Sequence, residues 1–597
     1  MVTDRISQGA ELWLKDFESA LSSADGVELD ALFLDESYYR DTGALTWDFH
    51  QYHGRTAIEN ILGSVTKDMH PHNFRLADGW PAPQEMDNGT ATTIEVFFQF
   101  ETGSAQVIAL MYGVPDETSP YGFRTQSLYT RLEGLDGVDA PAVHPRGYGY
   151  TPSQPGENWL EHRERARSFE DREIEVLIVG AGQAGLMTAA YLKYFGVAAL
   201  VIDKHDRVGD NWRKRYASLN LHNTINMNHF PLLRFPEHYP QYLPKDILGE
   251  WLETYSRYLD LDIWTSTDFV GAEYDTTGKK WAATVTTANG EQRVLNPKHI
   301  VLATGGIGGK PNIPNLPGLA DFAGKVMHSS EFTESDDFAG KKALVIGMGS
   351  SAHDIARDLH NHGVQVTMVQ RSPVVINSVE IANSAYAAGY ADGVPIELGD
   401  LRYGLALIGP LRIAASKQAH QAGKEADAEL HRGLEEAGVV LGDGYEGAGW
   451  LDLFLRTGGG YYLNAGASEL IVSGDIKVIQ ADQIDHFTGS GALLADGSTL
   501  ESDLIILATG YQNRKVEVAE QFGDDIAERI GDIARLSEEG EWANMWSQTA
   551  QRGLWFSGGG IPQVRPGARI LALLIKADLL DLIPDRYRRD AQVLTAQ

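Results

Sequence analysis

Residues 176–185 read Val-Leu-Ile-Val-Gly-Ala-Gly-Gln-Ala-Gly, and this stretch decides the fold. Four apolar residues indicate a short buried strand, and the turn G-x-G-x-x-G follows it and opens a helix predicted over 186–195. The first glycine permits a tight bend, the second lets the backbone approach a pyrophosphate, and the third lets the helix pack closely. The helix N-terminus then offers N–H groups to the phosphates. We predict a dinucleotide site at Gly180, Gly182, Gln183, Ala184 and Gly185.

The next predicted strand supports this interpretation. It reads Leu-Val-Ile over 200–202 and ends at Asp203, where a carboxylate can bind ribose hydroxyls. The alternative is a tight turn in an α/β fold that binds no nucleotide. The strand, the turn, the helix and the acid in this order favour the nucleotide site.

A second strand and glycine turn occur at 343–352. The turn reads Gly-Met-Gly-Ser-Ser-Ala over 347–352, and the strand after it is followed by Arg371. An arginine accepts a 2′-phosphate that a carboxylate would repel. We therefore predict an NADP(H) site, with NADH as an alternative donor and a solvated Arg371 as the competing interpretation. The predicted residues are Gly347, Gly349, Ser350, Ser351 and Arg371.

Two dinucleotide sites with different ribose chemistry indicate electron transfer between them. The simplest assignment is FAD at the first turn and NADPH at the second. The chain has no cysteine, which excludes a redox thiol pair and thiolate metal sites, and no metal site is predicted. Reduced flavin must therefore pass electrons to oxygen or to an organic acceptor.

Composition limits the partners. The 597 residues carry a formal net charge of −32, so an overall attraction to nucleic acid or to an anionic membrane is not expected. The N-terminus lacks the basic and then apolar pattern of a signal peptide, and no apolar stretch approaches the ~20 residues of a membrane span. We expect a cytoplasmic protein that acts on a small molecule.

Residues 322–332, Phe-Ala-Gly-Lys-Val-Met-His-Ser-Ser-Glu-Phe, lie between the two turns and fit FxGxxxHxxxF. With the turns, this run resembles the flavin-containing monooxygenase family, the class B flavoprotein monooxygenases, including YUCCA-like and microbial members. Residues 209–212 resemble a GGxW element near the flavin, with Asp210 in place of the second glycine. Residues 300–305 and 505–511 resemble the chain crossings between the two domains, and 558–577 resembles the helix beneath the flavin. The resemblance adds Asn211, Trp212, Thr509 and Gly510 to the cofactor-binding residues.

The resemblance also suggests catalytic residues. Residues 221–224, Leu-His-Asn-Thr, align with one gap to a segment that carries an active-site asparagine, which assigns Asn223 to catalysis and, with Thr224, to the cofactor. A turn-capping role for Asn223 is the alternative. His328 of the family run is the second catalytic candidate, and we expect it to act structurally rather than as an acid or base.

The activity implied by the resemblance consumes NADPH and O2. One oxygen atom enters a small organic substrate through a C4a-(hydro)peroxyflavin. Phe332-Thr333 stand where related Baeyer–Villiger enzymes carry Trp, which favours a soft nitrogen or sulfur atom as the site of oxygenation. Baeyer–Villiger or YUCCA-like carbonyl oxygenation, and an NADPH oxidase that releases H2O2, remain alternatives. The remaining alternative is a nucleotide-sensing or scaffold protein without enzymatic activity.

The predicted fold class is α/β, with two Rossmann-type domains preceded by an α+β domain. Residues 1–140 resemble the NTF2/SnoaL-like fold, from which we expect a homodimer. Asp41, Asp48 and His50 could face a pocket there, although a structural or oligomerising role is favoured. The predicted order continues with a linker at 141–171, a first FAD-binding part at 172–340, an NADP-binding domain with an insertion at 341–490, and a second FAD-binding part at 491–597.

Overall fold

The computed structural model describes residues 2–23, 27–87, 92–138, 158–305, 309–387 and 389–590. Its main layers are one mostly antiparallel sheet near the N-terminus and two parallel five-stranded sheets. The parallel sheets read as short apolar strands alternating with helices, as expected for strands buried on both faces. This agrees with the predicted α/β class.

The N-terminal sheet has seven strands in the order β2-β1-β7-β6-β5-β3, with β4 also paired to β5, and only β1 and β7 run parallel. Helix α1 places Trp13 and Phe17 on the sheet, with their ring centroids 4.7 Å apart. Strands β5 and β6 pair antiparallel over residues 94–101 and 106–113. The elements are α1 Val2–Leu21, β1 Phe33–Thr42, β2 Phe49–His53, α2 Arg55–Met69, β3 His72–Leu76, β4 Gln84–Asp87, β5 Thr92–Glu101, β6 Ala105–Pro115 and β7 Phe123–Leu135.

The predicted linker contains a helix. Residues 141–157 lie outside the described residues, but α3 spans Trp159–Ser168 within the segment expected to be a linker. Asn158 caps its N-terminus, and Glu161 returns a hydrogen bond to the Asn158 amide. This reciprocal capping explains why a polar segment with Arg and Glu forms a helix.

The first parallel sheet has the order β10-β9-β8-β14-β25. Helix α4 begins at Gln183, three residues before the predicted start, because Gly182 is already its N-cap. The late helix α16 packs against α4. The elements up to β14 are β8 Val176–Val179, α4 Gln183–Tyr194, β9 Ala199–Ile202, α5 Asp210–Arg213, α6 Lys245–Tyr258, β10 Ile263–Trp264, β11 Asp268–Asp275, β12 Lys280–Thr286, β13 Gln292–Leu295 and β14 His299–Leu302, and the late ones are α14 Lys515–Phe522, α15 Asp524–Ile530, β25 Leu554–Phe556 and α16 Ile561–Leu579.

The second parallel sheet has the order β15-β24-β16-β17-β20. Two of its strands lie inside segments that were predicted to be FAD-binding: β15 within 172–340 and β24 within 491–597. Both pair in parallel with neighbours of this sheet. The second sheet therefore begins before residue 341 and ends after residue 490, outside the bounds predicted for the NADP-binding domain. The elements of this sheet and its hairpins are β15 Lys325–His328, β16 Lys342–Ile346, α7 Ser350–Asn361, β17 Gln365–Gln370, β20 Ile476–Gln480, β21 Ile484–Thr488, β22 Gly491–Leu494, β23 Thr499–Glu501 and β24 Leu504–Leu507.

The segment between β17 and β20, which has no assigned sequence motif, is mostly helical. Helix α9 packs against β6 and β7 of the N-terminal sheet, so this insertion connects the two halves of the molecule. No helix in the described part of the chain is long and apolar enough to cross a bilayer. The inserted elements are β18 Val375–Ser378, α8 Val379–Ala387, α9 Ile396–Ala406, α10 Gly409–Ala426, α11 Ala428–Glu436, α12 Gly449–Thr457, β19 Tyr461–Asn464 and α13 Ala467–Val472.

Candidate functional site

The first glycine turn lies between β8 and α4, at the carboxyl edge of the first parallel sheet. Gly180 has φ +107°, and a Cβ there would lie 2.6 Å from the Ala303 carbonyl oxygen. A Cβ on Gly185 would lie 1.9 Å from the Gly180 oxygen. Both positions therefore exclude a side chain. Gly182 caps α4 without a hydrogen bond from any described side chain, which leaves the first N–H groups of the helix available to an anion.

Asp203 follows β9 directly and borders this turn. Its Oδ2 accepts a hydrogen bond from the Ala181 amide at 2.6 Å, and its Oδ1 accepts one from the His205 amide at 2.8 Å. Burial alone would raise the pKa of Asp203, but the hydrogen bonds from His205 and Ala181 lower it below its ordinary value. The carboxylate is therefore ionised and keeps lone pairs that hydroxyl groups can use.

The residues predicted from 209–212 meet the turn. Trp212 Nε1 donates to Gln183 Oε1 at 3.2 Å, and Gln183 Nε2 donates to the Gly559 carbonyl at 3.3 Å. Asn211 Nδ2 lies 3.1 Å from the position that a Cβ on Gly182 would occupy. Asn211 Oδ1 is buried and has no hydrogen-bond partner within the described chain. An unpaired buried oxygen beside a side-chain-free turn fits a bound nucleotide that supplies the missing donor.

The second turn lies between β16 and α7 and has the same geometry. Gly347 has φ +133°, and a Cβ there would lie 2.5 Å from the Ala508 carbonyl oxygen. Gly349 caps α7, and the nearest atom to its Cβ position is the Tyr461 oxygen at 4.0 Å. Ser350 Oγ donates to that same oxygen at 3.4 Å. The N-terminus of α7 is therefore as open to an anion as that of α4.

Two further predicted residues lie beside this turn. Ser351 occupies the first turn of α7, and its hydroxyl contacts Tyr216 of the segment after α5. Arg371 follows β17 at the carboxyl edge of the second sheet and is exposed. An exposed guanidinium at this place is available to a ligand phosphate.

His328 contacts the second chain crossing, residues 505–511. It ends β15, is 2% exposed, and its Nε2 lies 3.1 Å from the Gly510 carbonyl. The Ser330 amide donates to Nδ1 at 3.2 Å, so the ring is the neutral tautomer with hydrogen on Nε2. Burial lowers the pKa of His328 below its ordinary value. Thr509 is next to this contact and donates to the Asn312 carbonyl at 2.5 Å. Both ring nitrogens are thus engaged, which favours the structural role over acid–base chemistry.

Asn223 and Thr224 lie in a bent segment that Asn228 holds together. Asn228 Nδ2 donates to the Asn223 and Thr224 carbonyls at 3.1 and 3.0 Å. The Asn223 amide nitrogen lies 4.0 Å from Met227 Sδ. No hydrogen bond among the described residues joins Asn223 or Thr224 to either glycine turn. Their assignment to catalysis and cofactor binding stays a prediction.

Sequence reasoning missed the pair that anchors this segment. Arg565 of α16 donates to the carbonyls of Met227 and His229 at 2.9 and 2.6 Å. Its guanidinium also forms a two-point ion pair with Asp400 of α9, at 2.8 and 2.6 Å. The signal available in the sequence was Arg565 within residues 558–577, which resemble the helix beneath the flavin, but nothing in the sequence identified Asp400 as its partner.

The N-terminal candidates are used internally. Asp41 is fully buried and accepts hydrogen bonds from the hydroxyls of Thr46 and Thr130, at 2.6 and 2.7 Å. Asp48 pairs with Arg589, and His50 Nδ1 lies 2.9 Å from Glu539 Oε2. These contacts fit the structural role that was favoured for the three residues.

Comparison with known proteins gives similarities over most of the chain. Residues 177–384 match the family described as pyridine nucleotide-disulphide oxidoreductase. The chain is 33% identical over 358 residues to indole-3-pyruvate monooxygenase YUCCA1 of Oryza sativa subsp. japonica, which covers 58% of this chain and 79% of that protein. It is 31% identical over 342 residues to probable indole-3-pyruvate monooxygenase YUCCA9 of Arabidopsis thaliana, covering 56% and 75%. Cyclohexanone monooxygenase from Rhodococcus sp. Phi1 bound to NADP+ shares the fold with a TM-score of 0.50 at 18% identity, covering 68% and 84%.

Proposed function

Because this chain belongs to the flavin-containing monooxygenase family, the class B flavoprotein monooxygenases, we propose that it uses NADPH and O2 to place one oxygen atom in a small organic substrate. The supporting observation is the pair of strand–turn–helix units, each with a first glycine that excludes a side chain and a helix N-terminus without a side-chain cap. The first unit holds FAD and the second holds NADPH.

Each nucleotide has its own set of residues in this proposal. When bound, FAD supplies the two-electron chemistry that accepts hydride from NADPH and activates O2. The α4 N-terminus receives its pyrophosphate, Asp203 receives ribose hydroxyls, and Asn211 Oδ1 accepts a hydrogen bond from the ligand. The α7 N-terminus receives the pyrophosphate of NADPH, and Arg371 receives the 2′-phosphate.

The remaining residues position these groups. The hydrogen bond from Trp212 to Gln183 fixes both side chains at the first turn, and His328 holds the second crossing through Gly510. Asn223 presents an amide that can donate and accept hydrogen bonds at once. In this proposal it orients the reacting oxygen.

Two substrate classes follow from different observations. Phe332 stands where related Baeyer–Villiger enzymes carry Trp, which supports a soft nitrogen or sulfur atom as the first candidate. The names of the indole-3-pyruvate and cyclohexanone monooxygenases support carbonyl oxygenation as the second.

Product analysis with thioanisole and cyclohexanone separates the two classes. The purified enzyme is supplied with NADPH and air, and each product is quantified against NADPH consumed. Sulfoxide as the dominant product supports the first candidate, whereas lactone as the dominant product supports the second.

The same reactions test the proposal as a whole. We expect a flavin absorption spectrum in the purified protein and oxygenated product in proportion to NADPH. Stoichiometric H2O2 with no product across a broad panel of sulfides, amines and ketones would replace the monooxygenase with an NADPH oxidase.

A further inference from the structure

A cavity lies where the N-terminal sheet meets the remainder of the chain. Arg40 and Thr42 of β1, Phe49 of β2 and Tyr129 of β7 form one wall. The opposite wall comes from α9, α12, α16 and the loop before β25.

The cavity reaches the first glycine turn through two of its lining residues. Trp542 approaches within 3.3 Å of the Cβ position of Gly559, and Gln563 lies at 3.8 Å from the same point. The Gly559 carbonyl accepts the hydrogen bond from Gln183 at the start of α4. The cavity therefore borders the segment that contacts the start of α4, at the proposed FAD site.

A row of aromatic rings connects the cavity with the second turn. Tyr403 lines the cavity, and its ring centroid lies 6.3 Å from that of Tyr386. Trp450 follows at 6.1 Å from Tyr386, and Tyr461 at 5.7 Å from Trp450. Tyr461 is the residue whose carbonyl accepts the hydrogen bond from Ser350. The cavity thus lies between the two proposed nucleotide sites.

The charged groups in its walls are neutralised by partners. Arg40 forms a two-point ion pair with Glu541 at 2.6 and 2.8 Å. Arg412 pairs with Asp452 at 2.5 Å.

Asp400 also lines the cavity, and its charged partner is Arg565, as described above. Arg412 Nε is a buried donor without a partner among the described residues, and Asp452 is shared with Arg456. A neutral acceptor can use such a donor, whereas a charged ligand would have to compete with these ion pairs for a counter-charge. The cavity therefore fits an uncharged molecule.

The uncharged walls combine flat aromatic surfaces with two hydrogen-bonding pairs. Tyr403 and Gln563 are joined by a hydrogen bond of 3.2 Å on the side of α16. Thr42 and Tyr129 are joined at 3.1 Å on the side of the N-terminal sheet. Such walls accept a planar apolar frame and one or two neutral polar groups.

We propose that this cavity binds the organic substrate, an uncharged molecule with a flat apolar frame, and that the N-terminal sheet supplies its specificity-determining wall. This inference rests on the proposed function, since it places the substrate of that reaction. It assigns to residues of β1, β2 and β7 a binding role for which the nucleotide motifs give no indication.

Calorimetric titration of the flavin-loaded enzyme tests the proposal without turnover. The probes are 2-acetonaphthone, which is uncharged, and 2-naphthoate, which has the same frame with a negative charge. We expect the ketone to bind and the carboxylate to bind much more weakly. Thr42→Leu, which adds bulk at the wall, should weaken ketone binding at least about tenfold. Tyr129→Phe should weaken it about fivefold by removing one hydroxyl.

Tyr39→Phe is the matched control. Tyr39 lies on β1 and its hydroxyl bonds Thr130 at 2.9 Å, as Tyr129 bonds Thr42, but it does not line the cavity. Loss of the Tyr39 hydroxyl should leave ketone binding unchanged. Thermal unfolding of all three variants confirms that they are folded. Equal binding of both probes, or unchanged ketone affinity in both Thr42→Leu and Tyr129→Phe, overturns the proposal. Failure of the proposed function is distinct: it would appear as the absence of flavin or of oxygenated product, whatever the probes do.

Discussion

At the residue scale, Gly180 carries the strictest requirement in the first turn. An alanine there would combine a positive φ, which costs ~1–2 kcal/mol, with a Cβ 2.6 Å from the Ala303 oxygen. We expect Gly180→Ala to lose most of its bound flavin, measured as the ratio of flavin to protein absorbance after purification.

Gly196 provides the matched control for that substitution. It also has a positive φ, +68°, but apart from its chain neighbours no atom of the described residues lies within 4 Å of its Cβ position. Gly196→Ala should keep its flavin. If both variants retain flavin equally, the close approach at Gly180 is not required for cofactor binding.

Arg371 provides the test of nucleotide choice. Arg371→Ser removes the guanidinium proposed to bind the 2′-phosphate, so KM for NADPH should rise about tenfold or more, in line with a charged hydrogen bond of ~1.5–3 kcal/mol. KM for NADH should stay the same, because NADH has no phosphate at that position. Steady-state kinetics with both donors checks this, and an equal rise for both would contradict the assigned role.

At the element scale, the contact of α16 with α9 depends on the buried pair Arg565–Asp400. Asp400→Asn leaves the guanidinium buried without its counter-charge, for which we expect a loss of ~3–5 kcal/mol in the free energy of unfolding. The double variant Arg565→Met with Asp400→Leu should lose clearly less, since both charges leave together. Denaturant unfolding of the set measures this, and equal losses would show that the pair does not interact energetically.

The elements also show what could be predicted from the sequence. The two strand–turn–helix units follow from local glycine and apolar patterns, which are complete within about ten residues, and both are confirmed as elements. Helix α3 was missed although Asn158 and Glu161 form a recognisable capping box. The Arg565–Asp400 pair joins residues 165 apart in sequence, and such pairing depends on tertiary packing that local patterns do not contain.

At the scale of the whole molecule, two buried histidines make stability depend on pH. Burial lowers the pKa of His299 and of His353 to about 4, against 6.5 for an unperturbed side chain. Between pH 4 and pH 6.5, these histidines therefore bind more protons in the unfolded chain than in the folded chain. Stability contributed by the neutral rings is present above pH 6.5 and is lost as the pH falls towards 4.

His353→Gln isolates this effect. The variant should show a shallower loss of melting temperature between pH 7 and pH 5 than the parent chain, because one of the two buried rings is gone. His72→Gln, at an exposed position of β3, is the control and should follow the parent. Identical slopes for His353→Gln and the parent would contradict the prediction.

The wall that the N-terminal sheet lends to the cavity has an evolutionary consequence. The proposed specificity-determining residues of β1, β2 and β7 and the residues that bind the nucleotides then lie on separate stretches of the gene. Mutations in β1, β2 or β7 can alter which compounds are accepted while selection keeps the redox machinery constant. Recombination that exchanges only the coding region for residues 1–140 would produce enzymes with altered substrate ranges and unchanged nucleotide-binding domains.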